Sequence, residues 1–252
     1  MGLPRMILFD YGGTLLNESA FSFREGEKAV FRHVVRNPRN LSSDEVSDFE
    51  TAYFRSLQTV RDLNYEPHEY QMLRLKYELN EIELDISYEE AEEILWEHTA
   101  PLDEASYMPG IREFLAFLRS QNIRSGVISN LGWSGRMLEK RIGRMFPEHQ
   151  FDFILASSEY GLRKPDPRLF SLALVKAGLH ARDVWFVGDT FEKDVLGAHA
   201  SGMFPVLFTG TVPNGPERKK TYPETDFPYA VVRHYEVLKE QLCQLMNSDR
   251  MF

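Results

Sequence analysis

The 252-residue chain has one cysteine, Cys243, and no apolar run long enough to cross a bilayer. A single thiol closes no internal disulfide and builds no cysteine-rich zinc site, so disulfide scaffolds and zinc ribbons are excluded. Lying in a helical stretch near the end of the chain, Cys243 reads as a partly buried core thiol. A spanning helix needs about 20 consecutive apolar residues. The first apolar stretch, Met6 to Phe9, is also too short for a signal-peptide core and runs into a charged residue. Basic residues are in deficit, 29 Lys and Arg against 38 Asp and Glu, for a net charge of −9. Such a chain repels a nucleic-acid backbone and an anionic membrane surface. The expectation is a cytoplasmic protein with neither as a partner. The histidines form no His-Glu-x-x-His pattern, and neither a P-loop nor a dinucleotide-binding glycine fingerprint occurs.

What is present is a core. Hydrophobic residues make up 43% and aromatics 13%, too much for a disordered chain. Met6 to Phe9 is continuous and apolar, as for a strand buried on both faces of a parallel sheet. It ends at Asp10, before Tyr11-Gly12-Gly13-Thr14. From 18 to 107 no good strand is seen and helical patterns dominate. Ser42 to Glu45 and Ser87 to Glu90 are capping boxes, and Phe49, Tyr53, Phe54 and Leu57 share one helical face. After Pro109-Gly110 the pattern alternates. A helix carries Ile111, Phe114, Leu115 and Leu118 on one face, a strand ends at Ser129-Asn130, and a helix runs through Met137 to Ile142. A strand follows over Phe151 to Leu155, then a helix over Pro167 to Lys176. Val184 to Val187 is a strand ending at Gly188-Asp189, Val195 to Ala200 is helical, and Pro205 to Phe208 is a further strand. Thr211 to Pro228 reads as an exposed loop and His234 to Met246 as a closing helix. Alternating strands and helices imply an α/β fold with a parallel, Rossmann-like sheet in three layers. The division expected is a core of 1–17 and 108–252 with a helical module of 18–107 inserted in it.

In an open parallel sheet, ligands bind at the carboxyl ends of the strands. The residues there are Asp10, Ser129 with Asn130, Arg163-Lys164-Pro165-Asp166-Pro167 just past the third strand, and Asp189 with Asp194. Each alone reads as a turn, cap or solvated charge. Together they suit phosphoryl chemistry. An ionised carboxylate can attack phosphorus. Carboxylates at Asp10 and Asp189 suit magnesium, which takes one or two carboxylates, waters and a substrate phosphate. Lys164 adds a point charge, and Ser129 a hydroxyl donor.

These segments resemble the motifs of the haloacid dehalogenase (HAD) superfamily. Asp10 to Leu15 resembles its first motif, Asp-x-Asp-Gly-Thr-Leu, and Val127 to Asn130 its second. Gly161 to Pro167 resembles the third and Gly188 to Asp194 the fourth. The resemblance implies a three-layered α/β core with a helical cap inserted between the first and second motifs. It implies Asp10 as nucleophile and metal ligand, with the Gly12 carbonyl, Asp189 and Asp194 also serving the magnesium ion. It assigns Ser129 and Lys164 to the phosphoryl group of a small phosphorylated molecule, with Asn130 helping to orient it.

One position departs from that pattern. Family phosphatases carry a second aspartate, two residues after the nucleophile, that protonates the leaving alcohol and then activates water. Here it is Gly12. General acid–base help is worth roughly 10²–10⁴ in rate. A phosphatase that is slow or uses a stand-in, with Asn17, Glu18, Arg24 and Glu25 as candidates, is the leading expectation. The alternatives are a phospho-ligand-binding protein without turnover, or a hydrolase of a carbon–halogen or phosphonate bond. Phosphonate cleavage requires a lysine from the inserted module, where Lys28 and Lys76 stand. Trp133 could stack on a substrate or serve packing alone.

Overall fold

The computed structural model describes residues 2–18, 20–212 and 223–249. The chain opens with β1 (Met6–Phe9), fully buried, and then passes through a mostly helical insertion. That insertion holds α1 (Phe23–Val30), β2 (Val34–Arg36), α2 (Ser43–Ser56), α3 (Gln58–Asp62), α4 (Glu69–Leu79), β3 (Glu83–Leu84) and α5 (Tyr88–Thr99). The chain returns through α6 (Ile111–Ser120), β4 (Arg124–Ser129), α7 (Gly135–Met145), β5 (Ile154–Ala156) and α8 (Pro167–Ala177). It closes with β6 (Val184–Gly188), α9 (Leu196–Ala200), β7 (Phe204–Phe208), β8 (Ala230–Val232) and α10 (Tyr235–Asp249).

Six strands form a parallel sheet in the order β5-β4-β1-β6-β7-β8. The order reverses at β1, which lies between β4 and β6, so the crevice above it is a topological switch point, where open α/β sheets bind ligands. Two apolar clusters cover the faces. One includes Ile7, Phe9, Phe114, Leu118 and Tyr235. The other includes Leu8, Phe170, Phe186 and Ala198. Alternate residues of β1 thus feed opposite layers, as the two-residue period of a strand requires.

Both capping boxes form: Ser42 and Ser87 each accept from the backbone of the glutamate three residues on, and Glu45 and Glu90 each accept from the serine N–H in return. Helices α1 and α5 cross closely because Gly26 has no side chain; a Cβ there would meet Thr99 Oγ1 at 2.1 Å and Leu95 O at 2.5 Å.

Four strands differ from the sequence reading. The insertion does hold strands, since β2 and β3 pair antiparallel. At three and two residues they are too short to show a period. The third core strand starts at Ile154 rather than Phe151, because Phe151 turns aside to pack against His149 and Phe146. The stretch read as loop, Thr211 to Pro228, holds no helix or strand over its described residues, 211–212 and 223–228, with 213–222 outside the described residues, and just beyond it lies the short strand β8, absent from the sequence reading. The closing helix α10 carries Cys243, which is half-buried as expected. Among the described residues, no helix is long and apolar enough to cross a membrane.

Candidate active site

The C-terminal ends of β1, β4 and β6 open into a cavity of about 480 Å³ lined by Asp10, Ser129, Asn130, Lys164, Asp189 and Asp194. Gly12 lines it too. All seven residues singled out from sequence therefore meet in one place. Asp10, Asp189 and Asp194 each offer a carboxylate oxygen within 4.8 Å of the others. Lys164, almost fully buried, bridges two of them, with Nζ 2.7 Å from Asp10 Oδ1 and 2.7 Å from Asp194 Oδ1.

The local sequence builds this arrangement. Gly188 ends β6 with no side chain, and that vacancy is where Asp194 sits; a Cβ on Gly188 would lie 2.3 Å from Asp194 Cγ. A π-helical turn over Phe191–Val195 brings Asp194 back toward the strand end, where its Oδ2 accepts from the Thr190 N–H at 2.9 Å. Thr190 Oγ1 donates to Asp189 Oδ1 at 3.1 Å. Gly197 lets the following helix reach the loop that carries Lys164, since a Cβ there would meet Phe170 and Pro165. Asn130 fixes that loop: its Nδ2 donates to Lys164 O at 2.9 Å, and its Oδ1 accepts from Lys164 N at 2.7 Å. The Asn130 amide is thus committed to positioning Lys164.

Electrostatics follow from crowding. Burial is the largest influence on Asp10 and raises its carboxyl to about 7; Lys164 opposes this, and the nearby Asp194 and Asp189 carboxylates reinforce it. Burial disfavours the charge on Lys164, but Asp10 and Asp194 outweigh it, so its pKa lies above the ordinary lysine value. Three carboxylates facing one ammonium leave net negative charge. An all-oxygen donor set of that kind suits a hard divalent cation such as Mg²⁺.

The insertion supplies the opposite wall. Trp96 from α5 stacks on Trp133 from the core, ring centroids 5.1 Å apart and 6° from parallel, and both line the cavity with Phe23 and Phe54. Trp133 therefore packs and faces the cavity at once. Glu18, Arg61, Glu69 and Lys193 are further charged residues on its lining. Of the four stand-ins considered for Gly12, only Glu18 lines the cavity. Arg24 pairs with Asp44 and Asp48 on the exterior, and Glu25 with Lys28. Asn17 is held by its backbone to Ser106 O at 2.7 Å. The lysines that a Schiff base would need are elsewhere. Lys28 is exposed, and Lys76 is fully buried between Glu27 and Glu50. Arg61, Glu69 and Trp96 were missed because helical spacing gives a face, not the object it faces.

Comparison with known proteins gives the class to which this sheet and cavity belong. The chain belongs to the haloacid dehalogenase-like hydrolase family, whose model matches residues 4–202. It is 26% identical over 208 residues to a glyceraldehyde 3-phosphate phosphatase of Pyrococcus abyssi, covering 81% of each chain. It is 36% identical over 110 residues to a phosphoserine phosphatase of Thermus thermophilus, covering 43% of each. The match to haloacid dehalogenase-like hydrolase domain-containing protein 3 of Bos taurus, 32% identical, spans about half of each, 48% of this chain and 47% of that protein. Among solved structures, the fold is shared with a HAD phosphatase from Thermococcus onnurineus (TM-score 0.60, 20% identity, 96% of this chain and 98% of that one). It is also shared with a 2-haloacid dehalogenase from Pseudomonas syringae pv. Tomato DC3000 (TM-score 0.62, 20% identity, 96% and 99%).

Proposed function

We propose that this hydrolase is a magnesium-dependent phosphatase of a small phosphorylated molecule, working through an aspartyl phosphate on Asp10. One observation carries the reading: Asp10, Asp189 and Asp194 cluster beside Ser129 in a single cavity, with the buried Lys164 bridging Asp10 and Asp194. Asp10, Asp189, Asp194 and the Gly12 carbonyl would hold Mg²⁺, which when bound neutralises charge so that an anionic carboxylate and an anionic phosphate can approach.

The chain's own groups do the rest. Asp10 Oδ attacks phosphorus. Lys164 Nζ, 2.7 Å from that carboxylate, lies where the transferring phosphoryl oxygens arrive and favours the charge building on them. Ser129 donates its hydroxyl to another phosphoryl oxygen, and Asn130 holds Lys164 in place. The helical insertion over 18–107 acts as a cap. Its aromatic wall of Phe23, Phe54 and Trp96 favours a substrate with an apolar or ring portion. Relatives named for phosphoserine and glyceraldehyde 3-phosphate support a phosphate monoester of a small metabolite as the substrate class.

The test is hydrolysis of p-nitrophenyl phosphate with and without Mg²⁺ by the wild-type protein and Asp10→Asn. Turnover that requires Mg²⁺ and vanishes in the folded variant is the expected result. Turnover that survives Asp10→Asn would reject Asp10 as nucleophile. Halide release from a 2-haloacid that persists in EDTA would replace the phosphatase reading with dehalogenation.

A further inference from the structure

A carboxylate that displaces an alcohol from phosphorus leaves behind an alkoxide, a base far stronger than any side chain, so a proton must reach that oxygen as the bond breaks. Gly12 has none to give, and a Cβ built on it meets nothing within 4 Å, so open space lies beside the nucleophile where a donor would reach. The cavity's aspartates are accounted for. Asp10 is the attacking group, and Asp189 and Asp194 complete the carboxylate cluster with it, Asp194 also pairing with Lys164. Glu69 is buried against a second carboxyl, Glu50, which raises its pKa after burial itself.

Glu18 remains, and its setting is unusual. One of its oxygens, Oε1, takes three donors: Tyr11 Oη at 3.0 Å, Trp96 Nε1 at 3.1 Å and Arg141 Nη2 at 3.2 Å. Among the described residues no hydrogen bond falls on Oε2, and the side chain keeps 20% of its surface exposed at the cavity wall. The anchor is itself held in place. Arg141 is almost fully buried and also binds Tyr11 Oη at 2.9 Å, Glu97 at 3.2 Å and the Ala100 carbonyl. One oxygen is therefore clamped and the other presented, on a stem held by core and insertion together.

We infer that Glu18 is the general acid–base of this site, in place of the residue missing at Gly12. The inference rests on the phosphatase reading. As the Asp10 Oδ–P bond forms and the P–O bond to the alcohol breaks, Glu18 gives its proton to the departing oxygen. The resulting carboxylate then takes a proton from water as the water oxygen displaces Asp10 from phosphorus. Inorganic phosphate leaves, Asp10 is again ionised and Glu18 again protonated. Two opposing influences suit the group to both halves. Burial raises its pKa, which favours the acid form, while Arg141, Tyr11 and Trp96 favour the carboxylate. The charged and titratable groups in contact with it are Tyr11 and Arg141, with Glu97 also on Arg141; Asp10, Arg61, Glu69, Lys164, Asp189, Lys193 and Asp194 share the cavity lining.

A structural role as counter-ion to Arg141 makes a different forecast, because that role is blind to the leaving group. The experiment compares single-turnover release of phenol from phenyl phosphate and of nitrophenolate from p-nitrophenyl phosphate, in wild type, Glu18→Gln and Gly12→Asp/Glu18→Gln. For Glu18→Gln, phenol release should fall about 100-fold or more, the lower end of acid–base contributions. Nitrophenolate release should fall less than about tenfold, since that anion leaves unprotonated. The double variant should recover much of the phenol rate. Equal losses on both substrates, or none, in a variant that melts like wild type would overturn the assignment. If Glu18→Gln does not fold, Trp96→Phe removes one donor from the carboxylate; the limb of the kcat profile set by Glu18 should move to higher pH, and an unmoved profile would overturn it. A wild-type protein that forms no phosphoryl adduct on Asp10 would instead reject the phosphatase reading, and the inference with it.

Discussion

Gly188→Ala is the smallest change that should disable the site without touching a reacting group. The new Cβ would lie 2.3 Å from Asp194 Cγ and 2.5 Å from its Cβ and Oδ2. Real Cβ contacts are seldom closer than 3.4 Å, so Asp194 must retreat by about 1 Å. It cannot do so freely, because Oδ1 is 2.7 Å from Lys164 Nζ and Oδ2 accepts from Thr190 N at 2.9 Å. Overpacking of this kind costs about 1–3 kcal/mol in stability. A 1 Å error in a catalytic constellation costs about 10² in rate, and loss of a supporting contact at a metal site costs about 10- to 100-fold in affinity. Isothermal titration with Mg²⁺, turnover of p-nitrophenyl phosphate and a thermal melt measure the three effects on one sample. Mg²⁺ affinity within twofold of wild type in Gly188→Ala would refute the claim that the bare strand end exists to seat Asp194. The control is Gly143→Ala on the exposed side of α7, where a Cβ meets nothing within 4 Å. It should stabilise the fold by about 0.5–1 kcal/mol, as alanine does in a helix interior, and leave turnover unchanged.

The insertion and the rim of the core offer further tests. Lys76→Met strands Glu27 and Glu50, both fully buried, and should cost about 3–5 kcal/mol in urea unfolding. Lys28→Met, on an exposed pair with Glu25, should leave urea unfolding nearly unchanged, and similar losses for the two would contradict the burial argument. His149 touches Ser125 Oγ at 2.7 Å; burial first, and Arg119 second, lower its pKa to about 4. The unfolded chain then binds the proton that the folded one rejects, so stability falls as pH drops from 6.5 toward 4, by about 1–2 kcal/mol once solvent screening of a half-exposed ring is allowed for. His149→Gln should flatten unfolding free energy against pH in that window, and an unchanged slope would assign the acid sensitivity elsewhere.

The core was legible in the sequence because its signals are local. Met6 to Phe9, Val184 to Val187 and Pro205 to Phe208 are short apolar runs that end at glycine or a polar residue, and the structure makes strands of them. Asp10, Ser129, Lys164 and Asp189 could be named because strand ends face one side of a parallel sheet. The pairings inside the insertion were not legible. Nothing near Glu18 in sequence announces Trp96, 78 residues on, or Arg141 beyond it. Those contacts arise only when α5 and α7 pack together, and periodicity carries no record of which helix meets which. Short elements failed for a related reason, since two- and three-residue strands such as β2 and β3 are fixed by their partner rather than by their own pattern.

The most direct measurement is acid quench of the protein with phenyl phosphate and Mg²⁺ during the first turnovers, followed by peptide mass mapping. A phosphoryl group on the peptide carrying Asp10, absent from Asp10→Asn and longer-lived in Glu18→Gln, is the predicted result. Turnover with Asp10 unmodified at every quench time, or a phosphoryl group on another residue, would contradict an aspartyl phosphate at this site.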